Sequence, residues 1–219
     1  MEDAPARADA HIAPPELRVG DAWLFVTHAG DDAASALRVR SRIAAVDADG
    51  GFALEVNHGD KPEGPWRRQW FDAWFGMRAR EVDAGEGKSE RVTYAPAFAI
   101  LDFPLFPGKR WRRDVVQAQP DWWMETPMTL EFEALGVERV EVPAGPFDAM
   151  HLRGRVTTPD AEVAVEAWYA PEAGRIIKGI ERARAVGEPP ATGEGSRLEY
   201  VLHALDRRRD AGGLRQYGS

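Results

Sequence analysis

The five histidines are the first candidates for chemistry, because histidine is the commonest metal ligand and a frequent general base. None lies within four residues of another; they stand at positions 11, 28, 58, 151 and 203. Neither an H-x-H nor an H-E-x-x-H spacing occurs, so the sequence contains no local metal motif. We therefore predict a protein without a metal site and without a cofactor.

Motifs for nucleophilic catalysis are missing as well. The chain has no cysteine, which removes thiol catalysis, thiolate zinc sites and disulfides. No serine stands in a G-x-S-x-G or S-x-x-K motif, and no glycine-rich loop has P-loop spacing. Most carboxylates alternate outward on predicted strands, where they serve as solubilising charges. A non-catalytic protein is therefore favoured, and the alternative is a cleft that combines His151 or His203 with Glu166 or Asp148.

Tryptophans are the remaining chemical feature. In "PWRRQWFDAWFGM" they recur every fourth residue, a spacing that keeps them on one face of a strand and near one face of a helix. The short segment between turn residues favours a strand that breaks near Asp72 to Trp74. A second pair follows in "QPDWWMETP", where an extended chain would place at most one indole in the core. Packing in the core or under a loop, as an aromatic corner of the β domain, is the favoured interpretation of these rings. The candidate ligand-binding residues are Trp66, Arg68, Trp70, Trp74, Trp122 and Trp123.

Composition excludes several classes of protein. The 219 residues carry a formal net charge of −8, which argues against nucleic-acid binding because that binding relies on basic surface. No apolar run approaches the ~20 residues of a transmembrane helix, so no transmembrane segment is expected. The first fifteen residues contain no apolar signal-peptide core, and on this basis no signal peptide is expected.

The dominant period along the chain is two, which is the pattern of strands with one wet face. "ALRVRSRI" alternates apolar residues with arginines, and "AEVAVEAWYA" places Val163, Val165, Ala167 and Tyr169 on one face. Segment 198–205 also has helical spacing, so its state is left open. We predict a mostly β protein, a single antiparallel meander curled into a barrel, half-barrel or sandwich, with few or no long helices. Its parts are a flexible leader 1–16, a β domain 17–207 and a flexible tail 208–219.

Four segments resemble a loose group of uncharacterised bacterial β-rich proteins, domains of unknown function that are mostly exported to the cell envelope. The segments are "VGDAW" at 19–23, "FPLFPGKRW" at 103–111, "VEVPAGPFDAMHL" at 140–152 and "EAWYAPEAG" at 166–174. The recurrent pattern is a VPAGxF hairpin followed by a strand that ends in an aromatic residue, alanine, proline and glycine. The resemblance implies an antiparallel barrel-like fold and a periplasmic or envelope-associated location, with cytoplasmic as the alternative.

These observations favour a non-catalytic bacterial envelope protein that binds or scaffolds. It would hold a lipid or other apolar or amphipathic small molecule on a concave aromatic face, or bind an envelope protein partner. A carrier requires an apolar cavity of roughly 300–1,000 Å³. The alternative is a hydrolase that acts on an envelope polymer through a His/carboxylate cleft.

Overall fold

The computed structural model describes residues 11–30, 36–59, 64–85, 87–186 and 196–207. Most of the predicted leader, residues 1–10, and the predicted tail, 208–219, lie outside the described residues. Of the leader, Ile12 is described, and it forms an antiparallel bridge with Leu105.

Twelve antiparallel strands form a closed barrel, in which each strand pairs with the next along the chain and β12 pairs with β1. This confirms the predicted mostly β fold and selects the barrel among its three predicted forms. The strands are β1 Ala22–Ala29, β2 Leu37–Val46, β3 Phe52–His58, β4 Trp66–Phe71, β5 Met77–Asp83, β6 Ser89–Phe98, β7 Arg110–Gln119, β8 Met124–Val142, β9 Gly145–Thr157, β10 Ala161–Ala170, β11 Arg175–Ala185 and β12 Ser196–Asp206.

Alternation of residue types decides which face of each strand points inward. On β2, Ser41 and Ile43 are buried inside the barrel, whereas Arg42 lies outside and pairs with Glu55 of β3. The long strand β8 shifts its register against β9 between Ala134 and Gly136, as expected where a glycine relieves the pleat. Segment 198–205 is part of strand β12, so the strand interpretation of that segment is confirmed.

The two ends of the barrel differ. The lower end is defined as the end at which β4 turns into β5, and the upper end as the end at which β7 turns into β8. Segment 11–20 and loop 99–109 pack at the lower end, where Ile12 bonds to Leu105. Aromatic rings with centroids 4.8 to 5.5 Å apart cross this end and form a floor, made of Phe71, Phe52, Phe75, Phe103 and Tyr169.

Only half of the barrel interior is filled. On the side of β7 to β10, the rings of Trp111 and Phe132 stack with centroids 5.8 Å apart, and Leu130 and Leu152 are fully buried beside them. On the side of β1 to β4 the inward side chains leave a cavity. Within the described ranges, no helix is both long enough and apolar enough to span a bilayer.

Candidate functional site

The cavity inside the barrel, called the lumen below, has a volume of about 400 Å³. Most of its lining is apolar, and the larger apolar side chains are Phe25, Val39, Val56, Phe71, Phe75, Met77, Phe98, Ile100, Leu101 and Ile176. His58, the last residue of β3, also lines the lumen and is exposed. Among the described residues, the lumen therefore reaches the surface at the upper end, while the aromatic floor closes the lower end.

Among the described residues, Arg175 carries the one guanidinium in the lumen lining, at the start of β11 beside the floor. Its Cζ lies 5.2 Å from the ring centroid of Trp23, a cation–π distance. The Trp23 ring is fixed in turn, because its Nε1 donates a hydrogen bond to the Ala173 carbonyl at 2.8 Å. Burial lowers the pKa of Arg175 to about 10, which still leaves the side chain charged at neutral pH.

Tyr200 lies beside Arg175 in the lumen. Its ring crosses the sheet above Gly179 of β11, at a position where a Cβ on residue 179 would come within 2.1 Å of the ring. Glycine is therefore required opposite this tyrosine. Burial raises the pKa of Tyr200, and the nearby Glu181 carboxylate raises it further, while Arg175 lowers it. The phenol stays protonated at neutral pH and can donate a hydrogen bond into the lumen.

Glu181 is the one carboxylate that the described part of the chain contributes to the lumen lining. It stands six residues after Arg175 on β11, which puts its Cα about 20 Å farther along the strand, in the direction of the upper end, at roughly 3.3 Å per residue. Burial raises the pKa of Glu181. The lumen is thus polarised, with a cationic lower end and an acidic side chain nearer its upper opening.

The predicted tryptophans of β4 do not line the lumen. Trp66 and Trp70 share one face of the strand, as expected, but that face is the outer surface of the barrel. The guanidinium of Arg42 lies 4.5 Å from the centroid of Trp66, and that of Arg91 lies 4.3 Å from the centroid of Trp70. Arg68 lies on the same outer face, where it pairs with Glu55 at 2.9 Å.

Trp74 lies in the turn between β4 and β5 rather than on the strand, and its side chain is 58% exposed. The Asp72 carboxylate accepts hydrogen bonds from the backbone N–H groups of Trp74 and Gly76, at 2.9 and 2.8 Å. This turn directs Trp74 into solvent and the next residue, Phe75, into the floor. The predicted strand break near Asp72 is confirmed, because β4 ends at Phe71.

Trp122 and Trp123 lie at the upper end, in the connection between β7 and β8. Pro120–Trp122 form a 3₁₀ turn, and Trp123 has a left-handed backbone with φ 51°. The assumption of an extended chain here was wrong, so both indoles are exposed, by 68% and 96%. Trp122 is nevertheless anchored, because its Nε1 donates a hydrogen bond to the buried Glu90 carboxylate at 2.6 Å.

A second concavity, of about 790 Å³, lies on the outer face of β7 to β11. It is larger than the lumen but shallow, and charged side chains dominate its rim. Many of these charges neutralise one another, as in the pairs of Arg110 with Glu133 at 2.9 Å and of Arg155 with Glu131 at 2.6 Å. Exposed and mutually paired charges bind small molecules weakly, so we regard the lumen as the better candidate site.

One of the predicted pairs of a histidine with a carboxylate is found in the structure, that of His151 with Glu166. His151 lies 3.8 Å from Glu166 and 3.8 Å from Glu138, stacked on Trp168 with centroids 4.5 Å apart. The group lies on the outer face of β8 to β10 rather than in the lumen. His203 faces outward on β12, and Asp148 pairs with Arg139 at 3.2 Å. Among the described residues, no cluster of three histidine or carboxylate side chains has the geometry of a metal site.

Comparison with known proteins shows the fold alone. No protein-family model matches the sequence, and no curated protein matches it. Among solved structures, the chain is similar to a candidate lipoprotein from Parabacteroides distasonis, with 12% identity over 90% of this chain and 100% of that chain, and a TM-score of 0.51. It is also similar to a candidate exported protein with a YmcC-like fold from Bacteroides fragilis, with 12% identity, the same coverage and a TM-score of 0.53.

Sequence reasoning placed no functional residue in the lumen. Arg175 follows the turn "PEAG" and has the appearance of an ordinary charged residue at the start of a strand. The sequence did contain one indication of the site. Glu181 and Tyr200 each stand at alternating positions of a strand that are otherwise occupied by apolar residues. A polar residue on the inward phase of a predicted barrel strand points into the lumen. Binding roles for the six predicted residues, Trp66, Arg68, Trp70, Trp74, Trp122 and Trp123, stay predictions.

Proposed function

We propose that this protein is a non-catalytic binding protein of the bacterial envelope, which holds an apolar or amphipathic small molecule inside its barrel. The observation that carries the proposal is the lumen of about 400 Å³. That volume falls within the roughly 300–1,000 Å³ of ordinary ligand pockets, and a mostly apolar lining with few polar groups is typical of them.

The hollow half of the barrel favours a carrier over a purely structural role. Protein interiors are normally packed to crystal-like density, and the half that contains Trp111 and Phe132 follows that rule. The other half keeps a cavity even though it contains large side chains such as Phe25 and Phe71. An unfilled apolar volume costs stability, and binding a ligand there would offset the cost.

Two comparisons support an envelope location. Both solved structures with a similar barrel are described as candidate lipoproteins or exported proteins. The resemblance of the hairpin segments to exported bacterial proteins points to the same compartment. Fractionation of the native host, with immunodetection of the protein, tests the location directly.

The upper end has the composition of a membrane-contacting surface, and we place Trp122 and Trp123 in that role. Exposed large apolar residues stand on opposite sides of the lumen opening: Leu37, Val186 and Leu198 on one side, and Trp122, Trp123 and Met124 on the other. Tryptophan is enriched where proteins meet the bilayer interface. A ligand drawn from a bilayer would enter the lumen through this end.

Ligand binding is tested with a matched pair of substitutions. Val39 lines the lumen, whereas Val116 is an exposed residue on the outer face of β7. We expect Val39→Phe to weaken binding of the neutral probe N-phenyl-1-naphthylamine about tenfold or more, and Val116→Phe to leave it unchanged. Native mass spectrometry of protein purified without detergent should show a bound molecule in the wild type. Equal probe affinity in the two variants would refute binding in the lumen.

Membrane contact has its own test. The double variant Trp122→Ser/Trp123→Ser should transfer probe from phosphatidylcholine vesicles more slowly than the wild type, with unchanged equilibrium affinity. Trp74→Ser is the control, because Trp74 is an exposed tryptophan at the opposite end. If Trp74→Ser slows transfer equally, or if neither variant does, the upper end is not the membrane contact and a protein partner takes its place.

A further inference from the structure

We infer that the ligand carries a single anionic group and that Arg175 binds this group at the bottom of the lumen. The inference rests on the proposed binding function and adds the chemical class and the orientation of the ligand. The expected ligand is a single-chain amphiphile, such as a long-chain carboxylate. Its anionic head would lie at the floor and its alkyl tail would point toward the upper end.

The first argument is that the Arg175 guanidinium has no anionic partner. No carboxylate of the described residues forms an ion pair with it, although ion pairs are numerous on the outside of the barrel. A partly buried charge without a partner is costly. Its contact is the Trp23 ring, at 5.2 Å, which leaves the N–H groups at the edge of the guanidinium available.

The second argument is the set of hydrogen-bond donors next to Arg175. Tyr200 lines the lumen, and the neighbouring Tyr169 is fully buried in the floor with a hydroxyl that has no hydrogen-bond partner among the described residues. Tyr200 lines the same cavity as Arg175, and Tyr169 stands on β10 next to Ala170, the residue that pairs with Arg175. A guanidinium and a phenol donor in the lining of one cavity match an oxyanion, which accepts several charge-assisted hydrogen bonds.

The third argument concerns orientation. Glu181 lies on the same strand nearer the upper end, so an anionic head placed there would meet a like charge. Polar side chains also line the lumen, at positions 27, 41, 58 and 69, but most of its lining is apolar, as Phe25, Val39 and Val56 are. These apolar side chains suit an alkyl chain. The lumen therefore favours an anion at the floor and excludes one at the opening.

The test compares ligands that differ only in their heads. Displacement of N-phenyl-1-naphthylamine is measured with dodecanoate, monododecyl phosphate and dodecanol, below their micellar concentrations. We expect the wild type to bind at least one of the two anions about tenfold or more tightly than the alcohol, since hydrogen bonds to charged groups are strong. The anion that binds more tightly identifies the head as a carboxylate or a phosphate.

Variants assign the preference to Arg175. Arg175→Gln should make the affinities for the anion and the alcohol equal, Arg175→Lys should keep part of the preference, and Arg139→Gln on the outer face should keep all of it. Equal binding of anion and alcohol by the folded wild type overturns the inference, as does an unchanged preference in Arg175→Gln. If none of the three dodecyl ligands displaces the probe, or if the probe does not bind, the proposed binding of a ligand in the lumen is refuted, and this inference is refuted with it. The wild-type comparison decides the matter even if Arg175→Gln does not fold.

Discussion

Phe75 offers a sharp test of how the floor is built, because it combines a buried ring with an unfavourable backbone. Its side chain is 9% exposed, and its ring centroid lies 4.9 Å from that of Phe52 and 5.5 Å from that of Phe103. Its φ is 67°, in the left-handed region, which costs a residue with a Cβ about 1–2 kcal/mol. The ring must therefore stabilise the floor by more than the backbone costs.

Two substitutions separate these contributions. Phe75→Ala should lose about 3–5 kcal/mol of unfolding free energy, the usual cost of deleting a buried ring, because alanine keeps the unfavourable φ. Phe75→Gly loses the same ring but relieves about 1–2 kcal/mol of backbone strain, against about 0.4–1 kcal/mol of added unfolded-state entropy. Glycine should therefore be the more stable of the two variants by about 0.5–1 kcal/mol, the reverse of the order in ordinary strands.

Urea denaturation followed by circular dichroism measures both differences, provided that the m-values agree. Trp123 is the control, because it has a φ of 51° and is 96% exposed. At this position the glycine variant should again be more stable than the alanine variant. Removing the exposed ring itself should cost almost no unfolding free energy. If Phe75→Ala proves as stable as Phe75→Gly, the strain argument fails. If both variants lose less than about 1 kcal/mol, the floor is not a packed layer.

Two further predictions concern buried polar groups. Burial acts to raise the pKa of Asp102, but hydrogen bonds from Lys109 and Arg113 outweigh it, so the pKa lies below the ordinary 3.8. Asp102→Asn should cost about 1.5–3 kcal/mol at neutral pH, and urea titrations should show this difference shrink as the pH falls below about 3.8; a difference independent of pH would contradict the ion-pair origin. Ser41 is 3% exposed and its Oγ has no hydrogen-bond partner among the described residues. Ser41→Ala should therefore be as stable as the wild type or gain about 1 kcal/mol, and a loss above 1 kcal/mol would show that the hydroxyl is satisfied.

The antiparallel β fold could be predicted because alternation is a local signal. Val163, Val165 and Ala167 repeat at a period of two, and on β10 each of them faces the interior of the barrel. Closure of the barrel could not be predicted, because it depends on the pairing of β1 with β12, where Ala22 meets Asp206. No local pattern encodes a contact between the two ends of the chain.

The position of the candidate site could not be predicted from the sequence for a different reason. Strand β4 reverses the usual preference, since its inward phase contains Arg67 and Gln69, whereas Trp66 and Trp70 point outward. The outward tryptophans are covered by arginines from other strands, Arg42 and Arg91. Alternation separates two faces of a strand, but only the three-dimensional neighbours decide which face is inside.

The sealed floor has a kinetic consequence, which gives the last prediction. A ligand that binds Arg175 must enter head first from the upper end and pass Glu181. An ionised Glu181 repels an anionic head but not a neutral one. Glu181→Gln should therefore speed the association of dodecanoate and leave the association of dodecanol unchanged, as measured by stopped-flow displacement of the probe.

The pH dependence of this effect follows from the environment of Glu181. Burial raises its pKa above the ordinary 4.5, so the native state binds more protons than the unfolded state as the pH rises through this region, and stability falls with rising pH. The stability that Glu181→Gln gains over the wild type should therefore grow with pH above about 4.5. The gain in association rate should grow over the same range. A rate gain that is equal for the acid and the alcohol would mean that Glu181 obstructs the entrance by its size, and the electrostatic account of entry would be wrong.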